Sequence, residues 1–307
     1  MTFGVVELHI KFNQRATSTP HKFNIRSPSQ ITILFRNKKG RKINMFKREM
    51  KINLKSFIIW TSILIGLFLV VFLVYPSIVN NDTMQMMDEM MKIFPEEMLK
   101  AFNMDISSID SAFGWLKTEG FVFVLLITGI YSGILGSSIL LKEESDKTIE
   151  YLNSVPVTRK KIVLNKILCG LLYIILMVSI IGIFNFVGLS LSGDFDKKQY
   201  ILLSITPIFS SIVIFAVCLF LSTFTHKTKK TMGISLGIVF ASYFLKIISE
   251  MGESTEFLKY ISIFTLADIR NVIVDVSINL IMVALAIGIT AIFMVLTTIR
   301  YEKKELV

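Results

Sequence analysis

Apolar positions in this chain do not alternate with polar ones; they gather into blocks of about 20 residues, the length that spans a hydrocarbon core of roughly 30 Å as a helix. Six blocks stand out, at 57–79, 121–141, 162–191, 201–224, 231–248 and 272–299. A membrane β-barrel would need segments of about ten residues with strict apolar/polar alternation, and none is found. Within lipid, a helix satisfies its backbone polar groups internally. The pattern therefore predicts an all-α integral membrane protein with six transmembrane helices. The first block is too long for a cleavable signal peptide and has no small-residue cleavage site after it, so it reads as an anchor.

Composition agrees with this. Of 307 residues, 53% are hydrophobic and 18% charged, and the mean hydropathy is +0.64. The net charge of +10 would suggest nucleic acid in a soluble protein, but here it is distributed by side of the membrane. If alternate loops share a side, 25 of the 33 Lys and Arg residues fall on the side of the termini and eight on the other. The 80–120 loop has only Lys92, Lys100 and Lys117 against eight acids, whereas 141–166 carries six basic residues. The positive-inside rule then makes both termini and the 141–166 loop cytoplasmic in a cell membrane, and no nucleic-acid partner is expected. Residues 1–44 are polar and aperiodic, and read as a basic extension, disordered or outside the natural protein. Met45 begins a compact basic lead into the first span and is an alternative start. The domain reading is thus 1–44 as an extension and 45–307 as the transmembrane domain.

No phosphate-binding loop, zinc-protease motif or serine-hydrolase elbow occurs. His9, His21 and His226 are far apart and outside the spans. Cys169 and Cys218 lie in apolar blocks without metal-ligand spacing. No catalytic residue, metal site or bound cofactor is expected on this chain. Met84, Met86, Met87, Met90 and Met91 could bind copper(I), but Met84, Met87, Met91 and Phe94 share one helical face and read as a soft apolar surface. Charges within spans are scarce, which gives little support to an ion relay. Lys246 and Asp275 lie near helix ends. Small residues recur every four positions at Gly129, Gly133 and Ser137, and again at Gly233 and Gly237. Such stripes suit close helix packing or a dimer interface, packing within one chain being preferred.

The 141–166 loop is the most informative stretch. Glu143 and Lys147 are spaced as an i,i+4 pair, and Ser145, Ile149 and Leu152 share a face, so 142–154 predicts a water-exposed amphipathic helix. Pro156 ends it, and Thr158 is placed to cap the next helix. Here the sequence resembles the permease subunits of ABC-2 type transporters. That family has an acidic pair, a Thr-Ile-Glu, a Leu-Ser-x-Pro-Val-[Ser/Thr]-Arg and a later Lys between spans two and three. The matching positions are Glu143, Glu144, Thr148, Ile149, Glu150, Leu152, Ser154, Pro156, Val157, Thr158, Arg159 and Lys166, with Lys147 where glycine is commoner. The resemblance covers most of 45–307.

It implies a membrane subunit of an ATP-driven transporter, an exporter, that pairs with a second permease copy or homologue. A separate cytoplasmic ATPase would hold ATP and magnesium, and the loop helix would be the coupling helix docking on it. Glu143, Glu144, Thr148, Ile149, Glu150, Pro156 and Arg159 are the coupling residues so implied. The alternative is a non-transporting membrane scaffold or sensor whose 80–120 segment binds a ligand. The scarcity of membrane-embedded charge leans toward an amphiphilic or hydrophobic cargo.

Overall fold

The computed structural model describes residues 45–78, 89, 93, 111–146, 157–267 and 269–304. The 1–44 extension, the five clustered methionines and loop residues 147–156 lie outside them. Six helices are long and apolar enough to cross a membrane, and no strand occurs among the described residues.

The first is α1 (Met45–Ile78). Its 34 residues reach about 50 Å, more than the hydrocarbon needs, so its first turns, with Arg48 and Glu49, extend past the apolar block. The second span opens with α2 (Ala112–Trp115), passes through a π-helical turn (Leu116–Gly120) and continues as α3 (Phe121–Ile139). The short α4 (Lys142–Ser145) follows. Next come α5 (Arg159–Ser192), α6 (Lys197–Ser222) and α7 (Thr228–Met251). Two 3-10 helices (Glu253–Tyr260 and Ile263–Ala267) and α8 (Ile269–Asp275) lead into α9 (Leu280–Lys303).

α3 and α6 form the inside of the bundle. In their most apolar stretches 61% and 56% of residues are buried, against 17% for α9 and 22% for α1 and α7. The outer helices instead present leucines and isoleucines such as Leu73, Ile183 and Leu285 outward, as lipid-facing helices do. Close approach at the centre depends on the glycines of α3. A methyl at Gly136 would stand 2.5 Å from the Phe215 carbonyl oxygen of α6, and one at Gly129 would strike the Phe264 ring. Gly133 meets Val239 of α7, and Ser137 turns its hydroxyl back to the Ile134 carbonyl. This stripe is therefore spent on packing within the chain. A methyl at Gly233 or Gly237 would meet nothing within 4 Å, so these two lie on an open face.

α6 carries Pro207 in mid-span. Proline supplies no N–H to the carbonyl four residues back, which here is Leu203. The Thr206 hydroxyl donates to that carbonyl at 2.9 Å, so no backbone acceptor is left open in the apolar interior. At the start of α6, Asp196 accepts from the Lys198 and Gln199 N–H groups. Gln199 in turn donates to the Val272 and Ile273 carbonyls and fixes α8 against α6.

The sixth apolar block does not form one helix from Val272. Residues 269–275 belong to α8, and the spanning helix begins at Leu280. Val276 adopts a left-handed φ of 48°, which a β-branched residue tolerates poorly and which breaks helical continuity. Asn279 then caps α9, its side-chain oxygen accepting from the Ile281 N–H at 3.0 Å.

Candidate functional site

The densest polar structure lies at the end of the bundle where α1, α5 and α7 start. It begins with Lys166, about two turns into α5 and wholly buried. A buried ammonium is costly unless each of its donors is used. Lys166 donates to Glu143 at 2.8 Å, to Glu49 of α1 at 3.2 Å and to the Ile139 carbonyl at the end of α3 at 2.6 Å. Arg48 adds a second cation, 3.3 Å from Glu49 and 3.5 Å from Glu143. The two carboxylates, both buried, are thus held by cations from two different helices.

Glu144 anchors a second cluster. Lys304, just past α9, donates to both its oxygens at 2.8 and 3.1 Å and to the Thr225 carbonyl in the α6–α7 turn at 2.6 Å. His226 of that turn places Nδ1 2.9 Å from Glu144. Arg159, opening α5, donates to the Lys304 and Glu302 carbonyls at 2.8 and 3.2 Å. Tyr301 is buried beside both clusters, within electrostatic range of Glu143, Glu144 and Arg159. Lys142 donates to the Ile52 carbonyl of α1, and Ser145 pairs with Thr228 at the start of α7.

This geometry corrects part of the sequence reading. The loop pattern puts Glu143 and Glu144 on a water-exposed helix, with Glu143 paired to Lys147; both are in fact buried and held by Lys166 and Lys304. Among the described residues the helix runs only from Lys142 to Ser145. The side chains prefer the interior because the cations there, unlike water-facing lysines, are themselves desolvated and need the carboxylates. Thr158 sits at the N-cap of α5 with extended backbone but makes no side-chain cap bond. Arg159 turns inward to α9. Thr148, Ile149, Glu150 and Pro156 lie outside the described residues. His226, which would be merely solvated as a lone loop histidine, is instead bound to Glu144.

Sequence reasoning missed Glu49 and Lys304 altogether. A signal existed: an acid in an otherwise basic lead segment, and a lysine at the close of an apolar helix, are each more readily explained by a buried partner than by solvent. Cys169 and Cys218 are buried free thiols, and no group of residues among those described could hold a metal ion.

The arrangement joins charges from several elements by hydrogen bonds. What it does is mechanical: it ties the roots of the 147–156 loop to α1, α5, α9 and the α6–α7 turn through hydrogen-bonded charges. No curated protein and no solved structure matches the chain. A protein-family model, described as "ABC-2 family transporter protein", matches residues 43–306. That match takes in all six spans together with the charged root between the second and third, and the chain therefore belongs to the ABC-2 transporter family as a membrane-spanning component of a transporter.

Proposed function

We propose that this chain is the permease subunit of an ATP-driven exporter, working as a pair with a separate cytoplasmic ABC ATPase that holds ATP and magnesium. The observation that carries the reading is the double anchorage of the loop between Ser145 and Arg159. Glu143 and Glu144 leave its front root bound to α1, α5 and α9, and Arg159 binds its rear root to the end of α9. A partner pushing on such a loop moves the ends of several spans together, which is what conversion of nucleotide-driven closure into movement across a bilayer requires. Packed charge networks shift between discrete arrangements and do not bend gradually, and that favours a two-state transmission. In this reading the network end of the bundle faces the cytoplasm of a bacterial cell membrane, in keeping with its excess of Lys and Arg. Cargo is amphiphilic or hydrophobic.

The test is co-purification with the ATPase, coupled to transport in cells. Glu150→Lys reverses a charge in the segment between the two roots and leaves Glu49, Glu143, Glu144, Lys166 and Lys304 unaltered. It should leave the amount of inserted permease unchanged while lowering both ATPase recovery and transport about tenfold or more, as like-charge juxtaposition at a contact does. Recovery of no ATPase with the unaltered chain, and nucleotide turnover indifferent to its presence, would favour the scaffold reading.

A further inference from the structure

At the opposite end of the bundle, the ends of α7 and α9 and the intervening 3-10 helices enclose a cavity of about 510 Å³. Unlike the apolar surfaces around it, this one is lined by charge: Lys246 and Glu250 of α7, and Glu256 and Lys259 of the first 3-10 helix. Lys246 lies 3.0 Å from Glu250, with the two side chains only 13% and 17% exposed. Lys259 lies 2.5 Å from Glu256, in a more open position, and that contact holds the Lys259 ammonium above the usual lysine range.

Two features mark the cavity as incomplete. Lys166 and Lys304 each bind several oxygens at once, whereas the mostly buried Lys246 ammonium has Glu250 as its one ion-pair partner among the described residues. The Thr265 hydroxyl, on the cavity wall, is buried and has no hydrogen-bond partner among the described residues. Among the described residues donors are thus left over, on a lining whose four described charges sum to zero. A simple anion would be drawn by each lysine and repelled by its neighbouring carboxylate. A molecule carrying both signs a few ångströms apart can lie antiparallel to an ion pair, each end against its opposite.

The setting selects the source of that molecule. α7 ends at Met251 and α9 begins at Leu280, so the mouth stands where hydrocarbon gives way to headgroups. Phe257, Tyr260 and Ile261 stand exposed along the 3-10 segment, and Leu280 and Ile281 on the first turn of α9. Aromatic and aliphatic side chains at this depth are those that meet lipid at the interface. We propose that the cavity binds the headgroup of a zwitterionic phospholipid, with phosphate at Lys246 and Thr265, ammonium at Glu250 and Glu256, and acyl chains against Leu280 and Ile281. This site is independent of the loop anchorage and of any ATPase.

The test uses the full chain purified in detergent and stripped of lipid, titrated with dihexanoyl phosphatidylethanolamine and followed by native mass spectrometry. One equivalent should bind, with dihexanoyl phosphatidylglycerol weaker by about tenfold because its ammonium is missing and a carboxylate goes unmatched. Glu250→Gln should lose the preference by strengthening phosphatidylglycerol, and Lys246→Gln should lower phosphatidylethanolamine binding about tenfold. Glu256→Gln, at the more open pair, serves where a buried variant fails to fold, and should weaken phosphatidylethanolamine in the same direction. Glycerophosphoethanolamine, which lacks chains, should compete at least about tenfold less well, since burial of the acyl methylenes contributes to the lipid's affinity. Equal binding of the two lipids overturns the proposal, as does undiminished binding in the variants. Equal competition by the free headgroup overturns the lipid as occupant.

Discussion

A single ammonium shows how the network end depends on matched charge. Lys166 meets two carboxylates and a carbonyl, and its removal leaves Glu49 and Glu143 buried with Arg48 alone to hold them. Lys166→Met should therefore cost about 3–5 kcal/mol, the range for breaking one side of a buried pair. Lys166→Met combined with Glu143→Leu should regain a large part of it, because apolar replacement of both partners is often near neutral. Thermal midpoints in detergent would check the order; a double variant no better than the single one would remove the pairing as the reason. By the same logic Glu144→Lys is a folding mutation, since it buries a second ammonium against that of Lys304 and removes the carboxylate that Lys304 and His226 share. None of this was legible locally. Glu49 lies 117 positions from Lys166 and Lys304 lies 160 from Glu144, and no periodicity within one helix encodes a pairing between helices. The acidic pair and Arg159 could be singled out by family resemblance, but not the direction in which they point.

Between one helix and the next, the two small-residue stripes separate in function although they look alike in sequence. Gly136→Leu would drive a side chain into the α6 backbone at Phe215 and Leu219, where nothing flexible can yield. Folded yield should collapse. Gly237→Leu meets open space and should leave yield and midpoint within about 0.5 kcal/mol of the parent, as surface changes do; size-exclusion of both variants would show the contrast, and a Gly237→Leu that fails to fold would contradict it. The spacing alone could not tell them apart, because a stripe says that a helix can be approached and not which neighbour approaches. The spans themselves were readable because long apolar runs have no other use at this length. The start of the last one was not, since Val272 to Val276 continue the apolar run and the break depends on backbone geometry at Val276. Asn279, with a side chain suited to an N-cap just before the apolar run resumes, was the available clue.

The described helical bundle has two polar ends of opposite character, one a closed network and one a lined cavity, separated by an apolar waist built on α3 and α6. The sides proposed for them rest on the Lys and Arg distribution and can be checked directly. Cys169 and Cys218 are buried, so an impermeant thiol reagent added to intact cells should report only on introduced cysteines. Ser254→Cys, in the 3-10 segment, should react from outside, and Asp146→Cys, just past α4, should not. The opposite labelling would invert the assigned orientation. The bond between Glu144 and Lys304 has a further consequence, for biosynthesis. At about 5–20 residues per second, the 160 positions separating them take on the order of ten seconds to translate. Throughout that interval Glu144 lacks its ammonium, and a chain that stalls before α9 keeps the lesion permanently. Neutralisation of Glu144 by Lys304 is thus a step that only translation through the end of α9 completes.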